Sequence, residues 1–173
     1  MDRPLAVLVG PPGSGKSTVG AALAERLAVP LRDTDQDVEA MTGTTIAELF
    51  VDRGEEYFRE LESEAVRAAL VSHIGVLSLG GGAILRDETR KALAAHYVVW
   101  LDVNVPSAVK RLDMNVARPL LLGNVRGRFL ELDRARRPLY AEVATIHVDT
   151  SELSVEEVVD ELCTRIPHAT KES

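Results

Sequence analysis

The side chains with chemistry in them begin at residue 10. Gly10-Pro11-Pro12-Gly13-Ser14-Gly15-Lys16-Ser17 fits the pattern G-x-x-x-x-G-K-[ST] at every fixed position. Glycines in such a loop let backbone N–H groups turn inward around phosphate oxygens, and a helix that follows directs its positive end at the same charge. Gly13, Ser14 and Gly15 would supply the amides and Lys16 a point charge near the terminal phosphates. The Ser17 hydroxyl would ligate Mg²⁺, and Thr18 follows it in the same turn. The loop predicts binding of a nucleoside triphosphate and leaves its use open. Asp33 and Asp35 flank Thr34 at the end of a short apolar run. In an extended chain both carboxylates would face one side, one near a metal and one near an acceptor hydroxyl; a helix-capping pair is the competing reading. Gly80-Gly81-Gly82 is more glycine than a turn requires, and such a triplet lets a ligand approach backbone N–H groups.

These groups need a scaffold, and the apolar pattern supplies one. Leu5-Ala6-Val7-Leu8-Val9 is a continuously apolar run closed by Gly10, as in a central parallel strand covered on both faces. A helix over 16–27 places Val19, Leu23 and Leu27 on one stripe. A second strand starts at Pro30-Leu31 and ends in the polar run 32–35. Helical pattern fills 38–72, with Thr44 or Thr45 as a cap and Gly54 as a break; the second of these helices turns Phe58, Leu61, Ala65, Ala68 and Ala69 inward. Further strands are expected at 76–79, 97–101 and 146–148, and further helices at 86–95, from Pro106 to 112, and at 128–144 with an interruption at Pro138. A capped helix opens at Ser154. The stretch 113–127 has weak periodicity and a length more typical of a functional loop than of a connector. Strands alternating with helices imply a parallel sheet with helices on both faces.

Composition narrows the classes. The 173 residues fit one domain of the usual ~100–200, and 46% hydrophobic content is enough for a real core. A net charge of −7, from 27 acidic against 20 basic residues, disfavours a broad nucleic-acid footprint. Cys163 is the only cysteine, which excludes an intrachain disulfide and a cysteine-based zinc site. No apolar run is long enough to span a bilayer and nothing resembles a signal peptide, so a cytoplasmic protein with no membrane partner is expected, and a monomer is the default. A GTPase would carry Asn-Lys-x-Asp, which is missing, and a motor ATPase an acid where the third strand ends in Ser78-Leu79-Gly80. Small size and the early acid pair favour phosphoryl transfer to a small acceptor. The four histidines are scattered without ligand spacing and read as surface or helix-end groups, and Trp100 and Cys163 as packed side chains.

The combination closely resembles the shikimate kinases. The matching residues are Gly10 to Ser17, Asp33-Thr34-Asp35, Phe58-Arg59, Leu79-Gly80-Gly81-Gly82, Arg118-Pro119-Leu120-Leu121 and Arg136-Arg137-Pro138-Leu139-Tyr140, in family order from residue 10 to 140. The resemblance implies an α/β three-layer P-loop kinase fold of the nucleoside-monophosphate-kinase type. Its five-stranded parallel sheet would be ordered 2-3-1-4-5, with a lid over about 113–127 and a substrate-binding helical region over about 36–62. It implies transfer of the ATP γ-phosphoryl group to the 3-hydroxyl of shikimate with Mg²⁺. Asp35 would bind the acceptor hydroxyls and act as general base, Asp33 would support the metal, and Arg59 and Arg136 would hold the acceptor carboxylate. Gly80, Gly81 and Gly82 would present backbone donors. Arg118 would close on the phosphates and, with Lys16, offset developing charge. Arg111 matches the family's adenine-stacking arginine. Where some members place a proline beyond the last strand, this chain has 151–155, with Val155 as the apolar substitute. A gluconate-type or nucleoside-monophosphate kinase on the same fold, or a catalytically silent nucleotide-binding module, are the alternatives.

Overall fold

The computed structural model describes residues 3–115 and 125–167. Its sheet contains β1 (Ala6–Val9), β2 (Leu31–Asp33), β3 (Val76–Ser78), β4 (Val98–Asp102) and β5 (Ile146–Asp149). All neighbouring pairs are parallel and the spatial order is β2-β3-β1-β4-β5, as the resemblance implied. The helices are α1 (Lys16–Leu27), α2 (Thr34–Thr42), α3 (Ile46–Arg53), α4 (Glu55–Ser72), α5 (Asp87–Leu93), α6 (Val105–Asn115), α7 (Val125–Val143) and α8 (Val155–Arg165). A single 3-10 turn, Ala83–Leu85, leads from the glycine triplet into α5.

Strand alternation divides the core in two. Val7 and Val9 of β1 face Val66 and Leu70 of α4, Leu93 of α5 and Tyr140 of α7. Ala6 and Leu8 face Val19 and Leu23 of α1 and Val158 and Leu162 of α8. Burial on both faces is why the strands read as unbroken apolar runs. A smaller cluster of Val38, Leu49, Phe58 and Ala65 binds α2, α3 and the first half of α4 together. In the register, Leu8 and Asp33 both pair with Ser78, so the carboxyl ends of β1, β2 and β3 come level. Ligands gather at that edge in open α/β sheets.

Two local expectations are corrected. The second strand stops at Asp33 rather than running to Asp35. Asp33 Oδ1 accepts from the N–H of Asp35 at 2.8 Å and of Gln36 at 3.4 Å, capping α2, and the cap overrides further extension. The two carboxylates are therefore not strand neighbours on one face. Nor is α7 interrupted at Pro138: it is continuous from Val125 to Val143. Pro138 forfeits one backbone bond, while burial of Phe129, Tyr140 and Val143 on both sides of it holds the helix. Thr45, not Thr44, caps α3 in a capping box with Glu48, and Ser154 caps α8 in another with Glu157. His73 caps the end of α4 and lies 2.9 Å from the Val76 carbonyl through Nε2. Trp100 is buried and Cys163 packs against the α1–α8 core, as expected.

Candidate active site

The nucleotide half is built by β1 feeding into α1 through residues 10–15. Gly15 caps α1 at φ 90°, a left-handed conformation that an L side chain resists. Lys16 folds back across the loop and donates from Nζ to the carbonyls of Gly10 at 2.6 Å and Pro11 at 3.1 Å. Burial lowers its pKa to about 8 against the pull of Asp35 and Asp33, with Arg136 lowering it further. The ammonium is thus presented to incoming charge partly desolvated by the loop around it. Ser17 and Thr18 begin the helix and, with Asp33, Asp35, Gly80 and Gly81, line a cleft of about 330 Å³. On the far side of the loop a second cavity, about 350 Å³, is lined by Thr18, Arg111 and Val155. Arg111 is fixed there by bonds from Nη1 to the Gly13 carbonyl and Thr150 Oγ1, both 3.0 Å, and from Nη2 to the Thr150 carbonyl at 2.7 Å.

The acceptor half gathers around the glycine triplet. A methyl group added to Gly80 would lie 2.6 Å from Asp35 Oδ1 and 3.0 Å from Glu62 Oε2. One on Gly81 would lie 3.6 Å from an Arg136 nitrogen, and one on Gly82 2.6 Å from the Arg59 guanidinium carbon. The three glycines thus touch, in order, the acid and the two arginines named from the sequence. Tyr140, fully buried, donates from its hydroxyl to the Gly81 carbonyl at 2.6 Å and pins the triplet; burial pushes that phenol up to about 12, so it stays a donor. Arg59 is held by Glu62 at 2.8 Å and Glu55 at 3.4 Å. These are the carboxylates that a surface salt bridge would use, but here they hold the guanidinium against Gly82.

Asp35 Oδ1 and Glu62 Oε2 are buried without hydrogen-bond partners, a costly arrangement that a polar ligand would relieve. Burial, and then the carboxylates of Asp33 and Glu62, raise Asp35 to about 6, against Lys16 and Arg59, which lower it. Glu62 is the site residue that sequence reasoning missed. It lies only 2% exposed, and burial raises its pKa despite Arg59. Its position gave a signal: it falls four residues after the inward Phe58, on the buried stripe of α4. Arg118 and most of the expected lid lie outside the described residues; α6 reaches Asn115 and α7 begins at Val125, so the flanking helices take up both ends of 113–127. Among the described residues no group of three or more His, Cys, Asp or Glu is arranged to hold a metal. The available donors are the Ser17 hydroxyl and the Asp33 carboxylate. Mg²⁺ is typically held this way, by one or two protein oxygens with phosphates and water completing the shell, so this donor set fits it.

Known proteins resemble this chain over nearly its whole length. The sequence model of a family described as shikimate kinase matches residues 12–167. A shikimate kinase of Thermobifida fusca is 53% identical over 167 residues, covering 96% of this chain and 97% of that protein. One from Streptomyces coelicolor is 57% identical over 158 residues, covering 91% and 92%. The structure of a shikimate kinase from Acinetobacter baumannii in complex with shikimate superposes with a TM-score of 0.84 at 32% identity, over 96% of this chain and 93% of that one. A phosphate loop facing an acid and two guanidinium groups, on a 2-3-1-4-5 sheet, defines an ATP-dependent P-loop phosphotransferase for small molecules. Within that class the chain belongs to the shikimate kinase family.

Proposed function

We propose that this chain transfers the γ-phosphoryl group of ATP to the 3-hydroxyl of shikimate, giving shikimate 3-phosphate and ADP. The observation that carries the reading is the convergence of Asp35, Arg59 and Arg136 on the glycine triplet, whose Gly80 and Gly81 line, with Asp35, the cleft that also contains Lys16. The guanidinium groups suit a carboxylate because their planar donors match it bidentately. Arg59, locked by Glu62, needs little further ordering when it takes up that load. Asp35 accepts the proton of the attacking hydroxyl; a carboxylate raised to about 6 is ionised at neutral pH yet a stronger base than an exposed one. Gly80, Gly81 and Gly82 offer backbone donors to the same substrate.

On the nucleotide side, Gly13, Ser14 and Gly15 cradle the phosphates, with Lys16, Thr18 and Arg118 adding donors and charge. Arg111 and Val155 bracket the adenine. Ser17 and Asp33 would hold Mg²⁺, Ser17 through its hydroxyl and Asp33 through Oδ2, since Oδ1 is committed to the α2 cap. When bound, Mg²⁺ neutralises charge on the transferred phosphoryl group. The acceptor region over about 36–62 and a lid over about 113–127 belong to one kinase unit. One chain supplies Lys16, Asp35, Arg59 and Arg136, which is consistent with a monomer. A single cysteine, and no described helix long and apolar enough to cross a membrane, support work in the cytoplasm, where ATP is plentiful.

Coupled ADP release tests this directly. Turnover is expected with ATP, Mg²⁺ and shikimate, is lost with EDTA, and does not occur with gluconate, AMP or CMP as acceptor. Asp35→Asn is expected to lose at least about a hundredfold in kcat. Turnover of gluconate or a nucleoside monophosphate in place of shikimate would overturn the substrate; a wild-type rate from Asp35→Asn would remove the base.

A further inference from the structure

Successive residues on a helix point about 100° apart, and the structure divides Arg136 and Arg137 between two directions. Arg136 reaches the glycine triplet. Arg137 turns to the sheet, where Nη1 and Nη2 donate to Asp102 Oδ1 at 2.8 Å and Oδ2 at 2.9 Å, a bidentate pair. The guanidinium stands 4.9 Å from the centroid of the Trp100 ring, and Nη1 lies 3.6 Å from Asp133 Oδ2, one turn back on α7. Asp102 ends β4 and is only 6% exposed. His147 of β5, its ring stacked on Trp100 at 4.0 Å, meets Asp102 Oδ2 through Nε2 at 2.8 Å. Burial pushes the Asp102 carboxyl up, but the bonds from Arg137, His147 and the Val103 N–H outweigh it and hold the group below the usual carboxylate range.

We infer that the Asp102–Arg137 ion pair is a positioning pair, which fixes the rotation and height of α7 and so aims Arg136 at the acceptor carboxylate. The inference rests on the acceptor-binding reading of Arg136. The Tyr140–Gly81 hydrogen bond and the Glu142–Arg90 ion pair hold α7 four and six residues beyond Arg136, and its apolar contacts through Phe129, Tyr140 and Val143 tolerate small rotations. A two-pronged ion pair does not, and it sits one residue, about 1.5 Å of helix rise, from Arg136. The nucleotide side is wired separately. Thr150, which holds Arg111, donates from N–H and Oγ1 to the main-chain carbonyl of Asp102, both at 2.8 Å, and leaves the carboxylate untouched. Removing the carboxylate's charge therefore spares the contacts of Arg111, and acceptor binding suffers alone.

Arg137→Gln and Asp102→Asn are compared with wild type by steady-state kinetics in each substrate. Each is expected to raise the shikimate KM about tenfold, with the ATP KM within about twofold, and the double variant is no worse than the worse single one. Arg137→Lys, which keeps the charge and loses the fork, recovers part of the loss. A shikimate KM within twofold of wild type, or an ATP KM rising in step with it, overturns the positioning role, since a merely stabilising pair would lower Tm without separating the two constants. Should Arg137→Gln strand the buried Asp102 charge and fail to fold, the double variant removes both charges and is judged by the same criteria. Arg136→Ala is measured beside them. If it raises the shikimate KM while Arg137→Gln does not, only the positioning role falls; if it does not, the reading of Arg136 falls and takes this one with it.

Discussion

At Asp35, function and stability pull in opposite directions. Its carboxyl rests at about 6 in the fold against an ordinary value of 3.8, because burial and two neighbouring carboxylates disfavour the charge that the proposed base role needs. Below 3.8 the group is protonated folded or unfolded and its contribution to native stability is complete; as pH rises through 6 the folded state must ionise it and that contribution is lost. The difference corresponds to about 3 kcal/mol before solvent screening, and on the order of 1–2 kcal/mol for a side chain that is partly exposed. Asp35→Asn keeps the shape and drops the charge. It is expected to raise Tm by a few degrees at pH 8, to show no gain at pH 4, and to be inactive at both. Melting curves at the two pH values decide the matter, and an equal shift at both would show that charge burial is not the cause.

Elements were legible where one local rule governed them. The bounds of α1 follow from the phosphate loop and its apolar stripe, and the cap at Ser154 from a hydroxyl three residues ahead of a glutamate, while the choice between Thr44 and Thr45 for α3 stayed open until the structure showed Thr45. Where two local rules competed, the sequence did not say which would win: Asp33 could extend β2 or cap α2, and Pro138 could end α7 or be carried by packing around it. Sheet order came from the family resemblance, since periodicity says nothing about which strands pair. Glu62 went unseen because a glutamate among glutamates reads as solvated, and only the stripe it shares with Phe58 says otherwise. The triplet after β3 shows how tightly the elements then meet. Gly80→Ala would drive a methyl to 2.6 Å from Asp35 Oδ1, and the turn cannot retreat while Tyr140 holds the Gly81 carbonyl at 2.6 Å. Turnover should fall by about a hundredfold, while binding of a fluorescent ATP analogue stays within twofold. Near-normal turnover would mean the acids have room to move and the acceptor pocket is not set by this turn.

Over the whole molecule, the two proposed substrate sites rest on cores of unequal size. The phosphate loop is joined to β1, whose residues are all but completely buried between the two main cores. The acceptor region instead relies on the small cluster of Val38, Leu49, Phe58 and Ala65, which ties α2 and α3 to the first half of α4. The second half of α4, through Val66 and Leu70, belongs to the main core, so Arg59 and Glu62 sit on the stretch where a loosely held unit joins a rigid one. Such a unit opens locally at lower cost than global unfolding. Leu49, 4% exposed, packs only in that cluster, and Leu49→Ala removes about 2–5 kcal/mol from it. Amide exchange is then expected to quicken across 34–65 while β1 and α1 keep wild-type protection, and the shikimate KM to rise severalfold with the ATP KM unchanged. Saturating shikimate should restore protection to 34–65, because binding Arg59 from the cleft side draws the small cluster back onto the glycine triplet. Exchange that quickens evenly along the chain, or a parallel rise in both KM values, would mean that the acceptor helices and the phosphate loop form one cooperative unit.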